Sequence, residues 1–351
     1  MPRTARTSPH LVSGAGFALL MVGLGVALVV SVGFAVGVGT VDVPVGRVFT
    51  VIWAHLSGDT AGVDALTDQI VWEFRTPRVL LAALAGSGLS LAGVCLQTLV
   101  RNPLADPYLF GVSAGASLGA VIAMTTGGAV LAGLGVAGAA FAGSLISLVI
   151  VFAMAQRGGR LVGGSLVLAG VAVAYLGTAI TSFIQLQAAP TELRGVMFWL
   201  LGSVSGASWA DLGVPAAAIA VAVCWLFTQS RSMNALSVGD DTAAGLGVDV
   251  HRLRILLLVA ASLLTATVVS VAGGIGFVGL IVPHAVRLVV GPDHRKVFGV
   301  SVLGGAVFLV LVDLVTRTAD RPNEMPIGIF TAALGAPFFL VLLRKRKKVL
   351  R

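Results

Sequence analysis

From Leu11 to Val38 the chain runs without one charged residue, and runs of similar character recur to its end. An α-helix needs roughly 20 apolar residues to cross about 30 Å of hydrocarbon, and a folded soluble core has no use for so many such runs. Composition points the same way, since 57% of the 351 residues are hydrophobic, 11% are charged and the mean hydropathy is +1.00. Soluble domains carry about a quarter charged residues. The sequence therefore describes an all-α, polytopic membrane protein embedded in a lipid bilayer.

Cutting the runs at turn residues and charges predicts ten spans, near 11–38, 77–98, 107–126, 129–155, 162–186, 211–228, 253–272, 274–291, 297–316 and 327–343, in a single transmembrane domain covering 1–351. The first run is too long for a signal-peptide core and is read as retained. With the N-terminus inside, 17 of the 23 basic residues fall in cytoplasmic segments, the cluster Arg344 to Lys348 and Arg351 among them. That bias sets both termini in the cytoplasm of a multi-pass cell (inner) membrane protein. The net charge of +8 resides largely in the tail, so it reads as an orientation and anionic-lipid signal, and nucleic acid is not expected as a partner. Gly111, Gly115 and Gly119 recur every four residues, as small residues do where helices approach closely in lipid, and Gly33 with Gly37 and Gly273, Gly274 and Gly276 are read alike.

Several local patterns look chemical and have plainer readings. Asp106-Pro107 starts a helix, the Asp accepting from open amides and the Pro fitting the first turn, and Asn102-Pro103 ends the helix before it. Gly111-Val112-Ser113-Ala114-Gly115 matches G-x-S-x-G, but a nucleophile elbow needs a strand before its helix. Asp240 and Asp241 lack the second acid of a magnesium site and are read as capping a short cytoplasmic helix closed by Gly. His284 follows Pro283 with no ligand partner at metal spacing, and Cys95 and Cys224 allow neither a disulfide framework nor a four-ligand site.

Two absences weigh more. No acid is expected in the middle of a span, which disfavours a proton- or sodium-coupled carrier or exporter. None of the four lysines sits in G-x-x-x-x-G-K-[ST], so ATP-driven work would require another chain. Arg75 and Arg78 in WEFRTPRVL, with Arg317, fall at the outer ends of spans. They are read either as snorkelling cations or as a basic rim that docks an acidic soluble partner.

RNPLADPYLFGVSAGASLGA (101–120), NALSVGDDTAAGLGV (234–248), VSVAGGIGFVGLIVPHAVRLVVGPDHR (269–295) and MPIGIFTAALGAPFFLVLLRK (325–345) resemble, in order, the FecCD-type permeases of ATP-binding-cassette (ABC) importers for iron-siderophores, haem and cobalamin. The resemblance covers about residues 40 to 345. It implies the type II ABC importer permease fold, in a subunit that is not itself an enzyme. A second copy or paralogue would complete a homodimer or heterodimer around one pathway. Two cytoplasmic ATPase subunits would use ATP and Mg, and an extracytoplasmic substrate-binding protein would deliver the cargo. No cofactor or metal is expected in this chain.

Residue by residue, the resemblance gives Arg75, Arg78 and Arg317 to docking of the binding protein. Asn102 and Leu104, with Gly163 and Gly164 before span five, go to the cytoplasmic gate, although hydroxyl residues stand at the second loop in some relatives. Ser237, Gly239, Asp240, Asp241, Gly245, Leu246 and Gly247, within a coupling segment 231–251, go to the ATPase contact. Gln185, Gln187, Met197 and Trp199 are candidates for the pathway lining. The cargo is read as a ferric siderophore, on nothing firmer than the abundance of such members, with haem and cobalamin as alternatives.

Overall fold

A computed structural model describes residues 13–39, 41–60, 62–126, 135–157, 160–161 and 163–349. Its helices are α1 (Gly14–Gly37), α2 (Val45–Ser57), α3 (Ala65–Asp68), α4 (Thr76–Val100), α5 (Val112–Thr125), α6 (Gly135–Ala155), α7 (Gly163–Gln187), α8 (Pro190–Leu200), α9 (Gly213–Val238), α10 (Asp240–Gly245), α11 (Val250–Ala272), α12 (Val278–Val290), α13 (His294–Thr318) and α14 (Ile327–Val349). Two antiparallel two-residue strands, Gln156–Arg157 and Arg160–Leu161, join α6 to α7. Among the described residues, seven helices are long and apolar enough to cross a membrane, and three shorter helices are apolar as well. Each expected apolar run holds a helix; positions 11, 12, 129–134 and 162 of those runs lie outside the described residues.

Three elements depart from the sequence expectation. α9 continues to Val238 where 228 was expected, because Arg231, Ser232 and Asn234 are polar without being helix breakers and Met233, Ala235 and Leu236 of the extension are buried. The segment 231–251 is therefore the end of α9, then α10 and a turn, and is no long loop. α2 was not foreseen: it is too short to span, and buries only Val48, Val51 and Ala54 at helical spacing. Between α3 and α4 the chain makes a π-helical stretch, Gln69–Arg75, a geometry that apolar periodicity does not report.

α4 is the central post of the bundle, buried over most of its length and packed by α9, α11, α12 and α13. Glycine makes these contacts close. A Cβ on Gly86 would overlap the Gly305 carbonyl of α13, and one on Gly93 would overlap the Gly279 carbonyl of α12. In lipid no hydrophobic gain separates helix from helix, so this backbone approach supplies the packing energy. The expected face of the third span is only partly as read. Gly115 meets Gly143 and Gly119 meets Ala139 of α6, whereas Gly111 turns the chain at φ +73° before α5. Gly33, expected on a packing face, has nothing near it. Around this post α1, α7 and α14 are peripheral, leaving Leu19, Leu168, Leu186 and Leu340 largely exposed.

Candidate functional site

The bundle carries polar residues at two opposite ends. At the end where α1 finishes and α4 begins, the three outer arginines come together, and all are buried: Arg75 and Arg78 are 7% exposed and Arg317 is 3%. The sequence predicts snorkelling cations or a basic docking rim, and neither anticipates such burial. The π stretch makes Arg75 and Arg78 diverge. Arg75 donates to the carbonyls of Val36 at 3.0 Å and Gly37 at 2.8 Å, and to that of Val41. The Val36 and Gly37 carbonyls are acceptors in the last turn of α1, where a cation also meets the negative end of the helix dipole, and the Val41 carbonyl lies beyond it. Gly39 lies against the Arg75 guanidinium, so that a Cβ there would require the guanidinium to shift.

Arg78 turns the other way. Its Nε donates to Asp313 Oδ1 at 3.0 Å and its Nη1 to both oxygens of Glu324, at 2.8 and 2.9 Å. Asp313, wholly buried, also lies 3.1 Å from Arg317 Nη2. Three cations thus face two anions, and Arg75, Arg78, Arg317 and Glu324 line one cleft of about 250 Å³ with Gly39, Val41, Phe74 and Ser205. The cleft retains one uncompensated positive charge. Asp313 lies one helical turn before Arg317 in α13, at i,i+4 spacing. Glu324 follows α13 in an irregular loop.

At the opposite end, α4 stops at Val100 and Arg101 takes the left-handed conformation at φ 52°. Asn102 Oδ1 accepts from the Leu104 N–H at 3.1 Å, closing a tight turn, and Asp106 caps the 3₁₀ turn Pro107–Phe110 through the Tyr108 N–H at 2.9 Å. Burial pushes the Asp106 carboxyl up to about 6, against the N–H groups of Tyr108 and Phe277 that favour its charged form. The first turns of α7, which begin at Gly163 and Gly164, lead into a helix that packs on the Pro107–Phe110 turn. No Cβ-level neighbour surrounds Gly164.

α10 lies at this same end. Gly239, extended at φ 159°, caps it, correcting the reading of Asp240 as the cap. Asp240 instead pairs with Arg254 at 2.9 Å and Arg101 at 3.5 Å. Asp241, Gly245, Leu246 and Gly247 are exposed, and Ser237, exposed as well, bonds back to the Met233 carbonyl at 2.9 Å. The pathway candidates lie at the end of α7 and in α8. Gln187 and Met197 are exposed and Gln185 is half-buried, while Trp199 packs on Ala116, Ala120, Ala140 and Val269.

Enzyme-like readings find no support in these positions. Ser113 is buried within α5, the His284 ring meets Phe338 edge-on at 5.9 Å, and Cys95 is buried while Cys224 faces outward. No group of three or more His, Cys, Asp or Glu suited to a metal ion occurs among the described residues.

A glycine-packed bundle of apolar helices, with a cationic cleft at one end and a short exposed helix at the other, is the architecture of a transmembrane permease subunit of ABC transporters. The FecCD transport family model matches residues 27–345, and the chain belongs to that family. It is 48% identical to the cobalamin import system permease protein BtuC of Halobacterium salinarum, over 82% of this chain and 76% of that protein. It is 39% identical to the vitamin B12 import system permease protein BtuC of Vibrio cholerae, over 80% and 84% of the two chains. Among solved structures it resembles an ABC transporter assigned to the metal-chelate type, in an inward-facing conformation, with a TM-score of 0.80 at 30% identity over 93% of this chain and 99% of that one. This chain is accordingly a multi-pass membrane permease of the ABC importer class and a transport component. The expected preference for a ferric siderophore gains nothing from these relatives, two of which are named for cobalamin.

Proposed function

We propose that this chain forms half of the translocation pathway of an ATP-driven importer for cobalamin. The observation that carries the cargo is the 48% identity to a cobalamin import permease over most of this chain. Cobalamin is itself a metal chelate, so similarity to a metal-chelate transporter fits the same reading. In this reading both termini are cytoplasmic and the arginine cleft faces outward. A carboxylate from a cargo-laden binding protein enters the cleft and meets the one positive charge that Asp313 and Glu324 leave over. Rim charges of this kind set encounter rate and register.

The remaining sites follow from the same orientation. Asn102 and Leu104, with the start of α7 at Gly163 and Gly164, narrow the cytoplasmic exit. The exposed face of α10, with Asp241, Leu246 and Gly247, meets a partner ATPase, which supplies the ATP and Mg chemistry. The exposed apolar face of α7, including Leu168, Tyr175, Phe183 and Leu186, together with Gln185, Gln187 and Met197, supports a wall shared with a second permease copy. No metal or cofactor is held by this chain in such a cycle.

The test is ATP-dependent uptake by proteoliposomes holding this chain, its ATPase and its binding protein, with cyanocobalamin, a ferric hydroxamate and haem offered separately. Cyanocobalamin accumulation that competing siderophore does not reduce is expected. Accumulation of the siderophore alone overturns the cargo, and accumulation driven by a proton gradient without ATP overturns the importer.

A further inference from the structure

Asp240 is the first residue of the helix assigned above to the ATPase contact, yet its carboxylate points back into its own chain. It lies 2.9 Å from Arg254 on α11 and 3.5 Å from Arg101, the residue that ends α4 and begins the exit turn. Arg101 occupies a left-handed C-cap, at φ 52°. Glycine fits that backbone best, and a non-glycine residue there costs about 1 kcal/mol. An arginine held in such a place directs attention to its side chain.

A second link at the same end joins α9 and the start of α13 to the last turn of α4, deeper in the bundle. The Asn234 amide, late in α9, donates from Nδ2 to Asp293 at 2.9 Å and accepts at Oδ1 from the His294 backbone N–H at 3.0 Å. With Oδ1 so fixed, His294 Nδ1 at 2.6 Å is the donor, and Nε2 faces Thr98 Oγ1 of the last turn of α4 at 2.8 Å. His294 and Thr98 are 2% and 3% exposed, so water cannot replace these partners, and separating them leaves unpaired buried groups. The Asp240 link is different, because Arg101 and Asp240 are 43% and 40% exposed. Ion pairs so placed are weak and readily broken.

We propose that Arg101 and Asp240 are positioning residues that tie α10 to the exit turn, with the contact of half-buried Asn234 with buried His294 and Thr98 as the fixed pivot that joins α9 to α4 through the start of α13. The inference rests on the assignment of α10 to the ATPase contact. A partner that displaces α10 then pulls on Arg101, and through it on Asn102 and Leu104, while the ends of α9 and α4 stay joined. The weak outer link releases and re-forms within each cycle. The strong inner link does not.

Hydrogen exchange on the full chain in lipid nanodiscs tests the tie without transport. Arg101→Gln and Asp240→Asn should each speed amide exchange across residues 101–111 by about three-fold, as loss of a half-exposed pair predicts. The double variant should exchange no faster than Asp240→Asn alone, the signature of one shared interaction, and Asp240→Glu should restore protection. Arg252→Gln, which removes an equal charge from the neighbouring exposed turn, should leave that segment unchanged. In the assembled importer, Asp240→Asn should lower cargo moved per ATP hydrolysed, with hydrolysis retained. Unchanged exchange in Asp240→Asn, or strictly additive effects in the double variant, overturns the tie. The expected exchange pattern in a wild-type assembly that moves nothing with ATP upholds the tie and rejects the importer.

Discussion

The two ends of the bundle hold charge in opposite ways. At the arginine end, Arg78, Arg317 and Asp313 are removed from solvent, and Arg75 is spent on the carbonyls that close α1. At the other end, the Asp240–Arg101 pair stays half-exposed and the His294 links to Thr98 and Asn234 are neutral hydrogen bonds, with Asp106, a carboxyl partnered by backbone N–H groups, as the buried exception. Buried charges are costly to form and costlier to leave unpaired, so the first end is a fixed fitting. Exposed pairs contribute little and exchange easily with water, so the second end is built to rearrange. The docking and gating roles proposed above have these contrasting requirements.

The strongest way to break the comparison is Asp313→Ala. It strands Arg78 and Arg317 without their shared anion and should cost about 3–5 kcal/mol, the range for one partner lost from a buried pair. Thermal unfolding of the purified chain in detergent checks it, and a loss no larger than that of a surface variant would mean that the arginine end is wet and adaptable.

A smaller effect is expected at Asp106, which is buried beside the Asn102–Leu104 turn. Its carboxyl sits at about 6 in the fold against 3.8 ordinarily, so the folded chain takes up the proton more readily than the unfolded one. Stability should therefore fall as pH rises through that interval and level off above it. Asp106→Asn should flatten the dependence, read as melting temperature across that interval, and should raise the melting temperature at neutral pH. The smallest effect belongs to Arg101→Ala, at most about 1 kcal/mol by the same melting assay. A cost comparable to that of Asp313→Ala would erase the contrast between the ends.

The helices were legible because hydrocarbon thickness imposes a length and an apolar pattern, which is why the positions of α4, α7, α11 and α13 follow from hydropathy. α2, α8 and the π stretch were not legible. α2 and α8 are too short to span, and π geometry leaves no periodic trace. Asp106 was read correctly as a cap because capping is local. Burial of Arg75 and Arg78 was hidden because it depends on α1 carbonyls, Asp313 and Glu324, groups from 34 to 246 residues away in the chain. Asp240 was assigned to a partner for the same reason: nothing in SVGDDTAAG reveals that Arg101 and Arg254 stand beside it.

The glycine contacts of α4 have a mechanical consequence. From Thr76 to Val100 it is an unbroken α-helix, about 37 Å long at 1.5 Å per residue, clamped through Gly86 to α13 and through Gly93 to α12. Its first turn holds Arg78 and its last holds Thr98, one residue turn short of Arg101. A stiff strut gripped at two points along its length does not absorb an axial push or a twist as bending. Strain applied at one mouth of the channel arrives at the other as displacement of the same beam.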